Sequence, residues 1–294
     1  MAKNQTSDGA VQRLPRITFP PAAPYQPVHW RGPRLPEYSD YDDSTFEYLV
    51  KRRRGRIFMI NNYDFQSKMP NRDFSGFDRD ALFSAFRHIG YKEIEVCENL
   101  TSTEMQRLAE HIAQADYEEY GNMVLIVLTH GDEDNLYGVD GEKIAYKRLL
   151  HPIKNSSKLK RIPKFYIAQA CNPTVNAVHP VATEVFNGVQ PTVSNLVQNL
   201  AEDAAKCAPD RHCTTYPQSD MLIAYSFIPG TPNGSRFIQA FAEVLRIDGR
   251  RLGVTKMLTR AMRLMSYTPG TTMPNKSLPS PVVISQLTSE FYLA

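Results

Sequence analysis

The feature that most limits how this chain can fold is an alternation between two kinds of segment. Continuous apolar runs of strand length, RIFMINN, MVLIVLT, KFYIAQAC and DMLIAYSF, recur along the sequence, and EIEVCEN has the length of one more strand. A short apolar run with no polar alternation is what a strand buried on both faces looks like. Between these runs, apolar residues recur at helical spacing. Asp78 to Ile89 does so until Gly90 stops it, as a left-handed glycine cap would. TSTEMQRLAEHIAQADY puts Thr101 three residues before Glu104 and Met105, Leu108 and Ile112 on one face, which is the spacing of a capping box followed by an amphipathic helix. Further helices are expected near Tyr146 to Ile153 and over SRFIQAFAEVLRI and VTKMLTRAMRLM, and a last strand over PVVISQLTSEFYLA. Helices between like strands imply crossovers, so the pattern predicts an α/β fold around a parallel sheet.

Two stretches break the pattern. Residues 1–45 are proline-rich without apolar period and read as an extended, disordered leader. Residues 172–217 lose the strand period and read as a long surface segment, with a helix near Ser194 to Lys206. Four cysteines, Cys97, Cys171, Cys207 and Cys213, are too scattered for a disulfide framework. Cys207, His212 and Cys213 crowd together without the paired spacing of a structural zinc site, so no metal or cofactor is expected. The net charge of +3 demands no polyanionic partner, and the basic run KRRRGR, Lys51 to Arg56, reads as a solvated hinge, not a nucleic-acid surface. The absence of a long apolar stretch or an apolar N-terminal core leads to the expectation of a cytoplasmic protein without membrane partners.

In open α/β sheets, ligands bind in the crevice beyond the carboxyl ends of the strands. His130 follows MVLIVLT directly and Cys171 ends KFYIAQAC. Neighbouring parallel strands would bring an imidazole and a thiol together there. The histidine can then take the thiol proton and later return it to a leaving amine, while the Gly131 and Cys171 backbone N–H groups face a developing oxyanion. On position alone, Cys171 reads equally well as a small core hydrophobe and His130 as an ordinary loop residue.

Four blocks in order tip this reading. LTHGDEDNLYGVDG resembles the histidine loop of the caspase family, IPKFYIAQAC its nucleophile strand with the Q-A-C signature, DMLIAYSF with GSRFIQAF its small subunit, and PVVISQLTSEFYL its last strand. The resemblance spans about residues 54–294. It implies a three-layer α/β/α sandwich whose six-stranded, mostly parallel sheet ends in an antiparallel C-terminal edge strand. It further implies a large-subunit region at 46–171, an intersubunit linker at 172–217 and a small-subunit region at 218–294, with pairing through the final strand. By the same carry-over, His130 and Cys171 match the catalytic pair and Gly131 the oxyanion donor. Gln169 matches the wall of the primary specificity pocket and Tyr225 that of the next pocket.

The departures from the family pattern are as informative. Caspases clamp a substrate aspartate with two arginines. Against the family's Asp-Arg-x-Gly, this chain has Asp73, Phe74, Ser75 and Gly76, so Phe74 takes the first arginine's place. The second arginine belongs to a Ser-Trp-Arg stretch that is missing, because Gly230 and Gly234 are separated only by Thr231, Pro232 and Asn233. Asn172 and Pro173 follow the nucleophile, removing one backbone N–H. The resemblance therefore implies a catalytically degraded caspase homologue, a pseudo-caspase or decoy that modulates an active caspase or pairs with itself. The alternative is an active cysteine endopeptidase of altered specificity working through Cys171 and His130. Asp203, in LAEDAAK, is the expected cleavage site of the linker, whereas Asp210 is followed by the bulky cation Arg211.

Overall fold

Strand β1 (Arg54–Asn61) runs parallel to β2 (Glu93–Glu98) on one side and to β3 (Tyr120–His130) on the other. Two short strands, β4 (Asn135–Tyr137) and β5 (Lys143–Ala145), form a hairpin beyond the end of β3. Outward from β3 come β6 (Lys164–Cys171) and β7 (Met221–Ser226), both parallel. A second small hairpin pairs β8 (Gly230–Thr231) with β9 (Gly234–Ser235). The last strand, β10 (Val282–Ser285), lies antiparallel to β7 at the sheet edge, so the six-stranded order is β10-β7-β6-β3-β1-β2. The helices are α1 (Ser75–Ile89), α2 (Ser102–Gln114), α3 (Tyr146–Lys154), α4 (Arg236–Asp248) and α5 (Val254–Met265). This computed structural model describes residues 54–132, 134–160, 162–171, 220–228, 230–266 and 281–294. The proline-rich leader, Asn172, Pro173, Asp203, Cys207, His212 and Cys213 lie outside them.

The apolar runs lack alternation because both sheet faces are covered. Met59, Val124, Ile126, Leu128, Phe165 and Ile167 pack with α1, α4 and α5. Their sequence neighbours Phe58, Leu125, Val127, Tyr166 and Ala168 pack with α2 and α3 on the other face. This is a three-layer α/β/α sandwich, and each such apolar side chain removed from water contributes about 1.5–3 kcal/mol. β2 is the exception: its burial alternates, Glu93 and Glu95 are exposed, and it forms the other edge of the sheet. Acidic side chains on an edge discourage pairing with a stray strand.

The expected capping box is present. Thr101 Oγ1 accepts from the Glu104 backbone N–H at 3.2 Å, and Glu104 Oε2 accepts from the Thr101 N–H at 2.8 Å. Three sequence expectations need correction. Arg54 to Arg56 belong to β1 rather than to a hinge, because Arg56 finds Glu95 on β2 at 3.9 Å and stacks over Phe58 at 4.8 Å. α1 begins at Ser75, before its apolar period becomes visible. The final strand has only four residues; beyond it Phe291 and Leu293 turn into the core, and the Phe291 carbonyl accepts from the Val254 N–H.

Candidate active site

The crevice lies beyond the carboxyl ends of β1, β3, β6 and β7, where the strand order reverses between β1 and β3. His130 and Cys171 form the last register pair of the β3–β6 ladder. The sequence reading that brings these two residues together at adjacent strand ends thus has a direct structural counterpart in the backbone. His130 is 4% exposed, and its ring leans on Phe65 with centroids 4.6 Å apart. Its Nε2 lies 2.8 Å from the Pro70 carbonyl oxygen. A carbonyl only accepts, so Nε2 carries a proton, and in the neutral form of the ring the lone pair falls on Nδ1. An imidazole held in that tautomer can take a proton from a nucleophile and return it to a leaving group.

Nothing in the sequence marks Pro70 for this role, since the contact is made by a backbone carbonyl. What positions it is the loop between β1 and α1. Asn71 Oδ1 accepts from the Phe65 N–H at 3.0 Å, and the Arg72 N–H donates to the Tyr63 carbonyl at 3.0 Å. The Arg72 side chain is 1% exposed; its Nη1 donates to the Asn62 carbonyl at 3.0 Å and to Ser75 Oγ at 2.9 Å. Ser75 in turn donates to Asn61 Oδ1. A buried guanidinium therefore ties the loop to the end of β1.

Gly131 follows His130 and bridges to Leu136 at the start of the β4–β5 hairpin. A Cβ there would stand 2.8 Å from Ala170 Cβ, 3.0 Å from the Asn135 carbonyl and 3.2 Å from the Tyr225 hydroxyl, so only glycine fits. Asp132 anchors the hairpin. Its carboxylate accepts from the Asn135 N–H at 3.0 Å, Asn135 Nδ2 at 2.8 Å and the Tyr137 hydroxyl at 2.9 Å, and pairs with Lys143 Nζ at 2.7 Å. Burial works against its charge, but Lys143, Asn135, Tyr137 and the Asp134 N–H together hold the carboxyl below its ordinary value. The same ion pair, with the Tyr137 contact, raises Lys143 well above the ordinary lysine value.

Gln169 stands two residues before Cys171 and is fully buried. Its Nε2 donates to the Ile228 carbonyl at 2.7 Å, while its Oε1 finds no hydrogen-bond partner among the described residues. Two residues past Ile228, Gly230 opens the β8–β9 hairpin. Thr231 Oγ1 donates to the Gly234 carbonyl at 2.8 Å, so this hairpin closes on itself around Pro232 and Asn233. It is pinned to α1 by the buried Asp78, which accepts from the Ser235 N–H at 2.7 Å, the Ser235 hydroxyl at 2.5 Å and Gln239 Nε2 at 2.9 Å. Phe74 caps the N-terminal end of α1 without a side-chain cap bond. The tip of its ring meets Gly230: a Cβ on Gly230 would lie 2.1 Å from Phe74 Cε2 and Cζ. The Arg72 guanidinium carbon stands 5.2 Å from the same ring centroid.

Tyr225 needs a correction. The sequence reading puts it on the wall of a substrate pocket, yet it is 0% exposed, packed edge-on to Tyr146 at 4.8 Å and to Phe227 at 4.0 Å. Its hydroxyl reaches the Ala170 carbonyl at 3.4 Å, and burial raises it well above the ordinary tyrosine value. Its position in β7 alternates onto the α2–α3 face of the sheet, away from the Gln169 face. Among the described residues no cluster of His, Cys, Asp or Glu could hold a metal ion. No described helix is long and apolar enough to cross a membrane.

Comparison with known proteins bears on this arrangement. Residues 54–292 match the family described as "Caspase domain". The chain is 28% identical to caspase-7 of Gallus gallus, over 84% of this chain and 80% of that protein. It is 29% identical to caspase-3 of Bos taurus, over 81% and 84% respectively. Against caspase-2 of Gallus gallus the identity is 26%, over 84% of this chain and 60% of the other.

Proposed function

The chain belongs to the caspase family, and from that premise we propose that it is a member with impaired binding of aspartyl substrates. In this reading it is a pseudo-caspase, or decoy, that takes part in regulating apoptosis by pairing in the cytoplasm with an active caspase or with itself. One observation carries the reading: the Phe74 ring lies against Gly230 of the short β8–β9 hairpin, and by the resemblance Phe74 takes the place of the family's first pocket arginine while that hairpin is too short to carry the second. A substrate carboxylate taken from water needs charge-assisted bonds worth about 1.5–3 kcal/mol each to offset its desolvation. Gln169, whose Nε2 is already given to the Ile228 carbonyl, cannot supply them. The partner surface in this reading is β10, which pairs with β7 along one edge and ends the sheet. The test is to incubate the purified chain with an active caspase, scoring both activities and any complex. A changed rate of the partner together with a co-eluting complex is expected; no complex and no change of rate contradicts the reading.

A second reading, an active endopeptidase of altered specificity, is favoured by the His130 geometry. The bond from Nε2 to the Pro70 carbonyl orients the imidazole as a base, and the register pair of His130 with Cys171 keeps the two backbones adjacent. Cleavage of an unbiased peptide library separates it from the first: products that vanish in a Cys171→Ala variant support the endopeptidase.

A further inference from the structure

We propose that Phe74 is the resident occupant of the crevice beside Cys171, a side chain of the chain itself standing where a substrate side chain would enter. The inference deepens the reading of an impaired aspartyl pocket and rests on it. A pocket that merely lacks arginines would be open and uncharged. Here the ring of Phe74 stands against Gly230, two residues past the Ile228 carbonyl that Gln169 holds.

Three features point to occupancy rather than to ordinary core packing. Phe74 holds the cap position of α1, where serine, threonine, aspartate or asparagine would bond a free backbone N–H, and it makes no such bond. A phenyl group supplies the helix with no cap. Besides facing the Arg72 guanidinium carbon 5.2 Å from its centroid, the residue joins neither core cluster and remains partly exposed. Gly230 is not one of the glycines with positive φ, so its backbone does not call for glycine. The ring tip does, since any Cβ would stand 2.1 Å from it. Finally, the surface under the ring cannot drift away. The Gln169 amide holds the Ile228 carbonyl at 2.7 Å, and Asp78 holds Ser235 and Gln239 with three bonds of 2.5 to 2.9 Å. The buried Gln169 Oε1, unpartnered among the described residues, is what a pocket wall looks like when its polar ligand is kept out.

The ligand class that follows is narrow. The intact chain should accept an extended peptide only where the residue entering this crevice has no side chain. With the ring removed, the space left between Gly230 and the Arg72–Ser75 turn is phenyl-sized and takes leucine or phenylalanine side chains.

The test compares the full chain with its Phe74→Ala variant. Both are treated with peptide chloromethyl ketones ending in Gly, Leu, Phe or Asp, and with iodoacetamide, and labelling of Cys171 is followed by mass. In the parent the Leu and Phe reagents should react about tenfold or more slowly than the Gly reagent; in Phe74→Ala the Leu-to-Gly and Phe-to-Gly rate ratios should rise about tenfold or more, a usual worth for filling an apolar pocket, with iodoacetamide labelling reporting the thiol's own reactivity in each protein. Unchanged Gly-to-Leu and Gly-to-Phe ratios between the two proteins would overturn the proposal. The Asp reagent separates the proposal from the reading beneath it: fast Asp labelling confined to Phe74→Ala would overturn the missing-charge reading and leave the occupant in place. A second measurement does not depend on the thiol. Gly230→Ala should melt below the parent, whereas in the Phe74→Ala background the same change should lower the melting temperature little or not at all. Gly230→Ala lowering the melting temperature equally in both backgrounds contradicts occupancy.

Discussion

His130 and Cys171 are register partners, the last pair before β3 and β6 release their chains into the crevice. The His130 ring is not free to turn. Its Nε2 donates to the Pro70 carbonyl at 2.8 Å and its face rests on Phe65, so the ring presents Nδ1 as the base. None of these contacts involves Phe74 or the β8–β9 hairpin, two of the places where the sequence departs from the family pattern.

Cys171 is therefore expected to react with small electrophiles, independently of how aspartyl substrates fare. The backbones of His130 and Cys171 are in register; an imidazole paired with the thiol favours the thiolate, so the alkylation rate of the parent should rise at a lower pH than that of His130→Ala. Identical rate–pH profiles in the two proteins would mean that the pair is not assembled and that Cys171 is a packing residue.

Lys164 offers a test of the sheet beneath the site. Its ammonium is buried at the start of β6 and donates to the Leu159 and Ile162 carbonyls at 3.0 and 2.7 Å. Burial pulls its pKa down to about 8, against the opposing pull of Asp220. Between that value and the unfolded one of about 10.4, the unfolded chain binds more protons than the folded chain, so stability rises with pH across the window. Below it the folded state carries the full penalty, about 3 kcal/mol. Denaturant unfolding of the parent and Lys164→Met at several pH values should show the parent gaining on the variant as pH passes from about 8 to about 10. Parallel stability curves for the two would refute the shift.

Most of the layered architecture is legible in the sequence, for a simple reason. A strand covered on both faces must be apolar throughout, and MVLIVLT and KFYIAQAC are. The adjacency of His130 and Cys171 follows from the same runs, since both residues end neighbouring parallel strands. What the sequence hides is made by backbone groups or by tertiary context. Pro70 acts through its carbonyl. The family resemblance puts Tyr225 on a pocket wall, but strand alternation turns it onto the face opposite Gln169. Nothing in the sequence around Gly230 reveals that a Cβ there would meet the ring of Phe74. The early start of α1 at Ser75 leaves no apolar trace, because Ser75 and Asp78 are buried through hydrogen bonds.

Pairing is expected to be independent of substrate binding. Ile284 lies opposite Ile223 in the β10–β7 ladder and packs against the α2–α3 core cluster. Replacing it with lysine would put a charge on that half-buried face and disturb the edge strand. Size-exclusion and co-purification of Ile284→Lys should show loss of self-association or of caspase binding; elution and co-purification identical to the parent would place the interface elsewhere.

The linker is expected to be a substrate whether or not the chain is an enzyme. Asp203 in LAEDAAK is preceded by an acidic residue and followed by small ones, which suits an extended protease cleft, whereas Arg211 after Asp210 does not. A stable helix over Ser194 to Lys206 would oppose cutting, because its backbone bonds must open first. Mass mapping after treatment with an active caspase should find a cut after Asp203. An intact linker, or one cut only after Asp210, would contradict the choice.

The most direct test of the account is turnover of tetrapeptide substrates ending in aspartate by the purified chain. On the proposed reading Phe74 takes the place of one pocket arginine and no residue that of the other; the charge-assisted bonds then missing are worth about 1.5–3 kcal/mol each, so turnover should fall about a thousandfold or more below that of an ordinary caspase. Phe74→Arg alone should not restore it, because the Gly230–Ser235 hairpin still lacks a strand edge to pair with substrate. Turnover by the parent within about tenfold of an ordinary caspase, less than a single such bond is worth, would contradict the account.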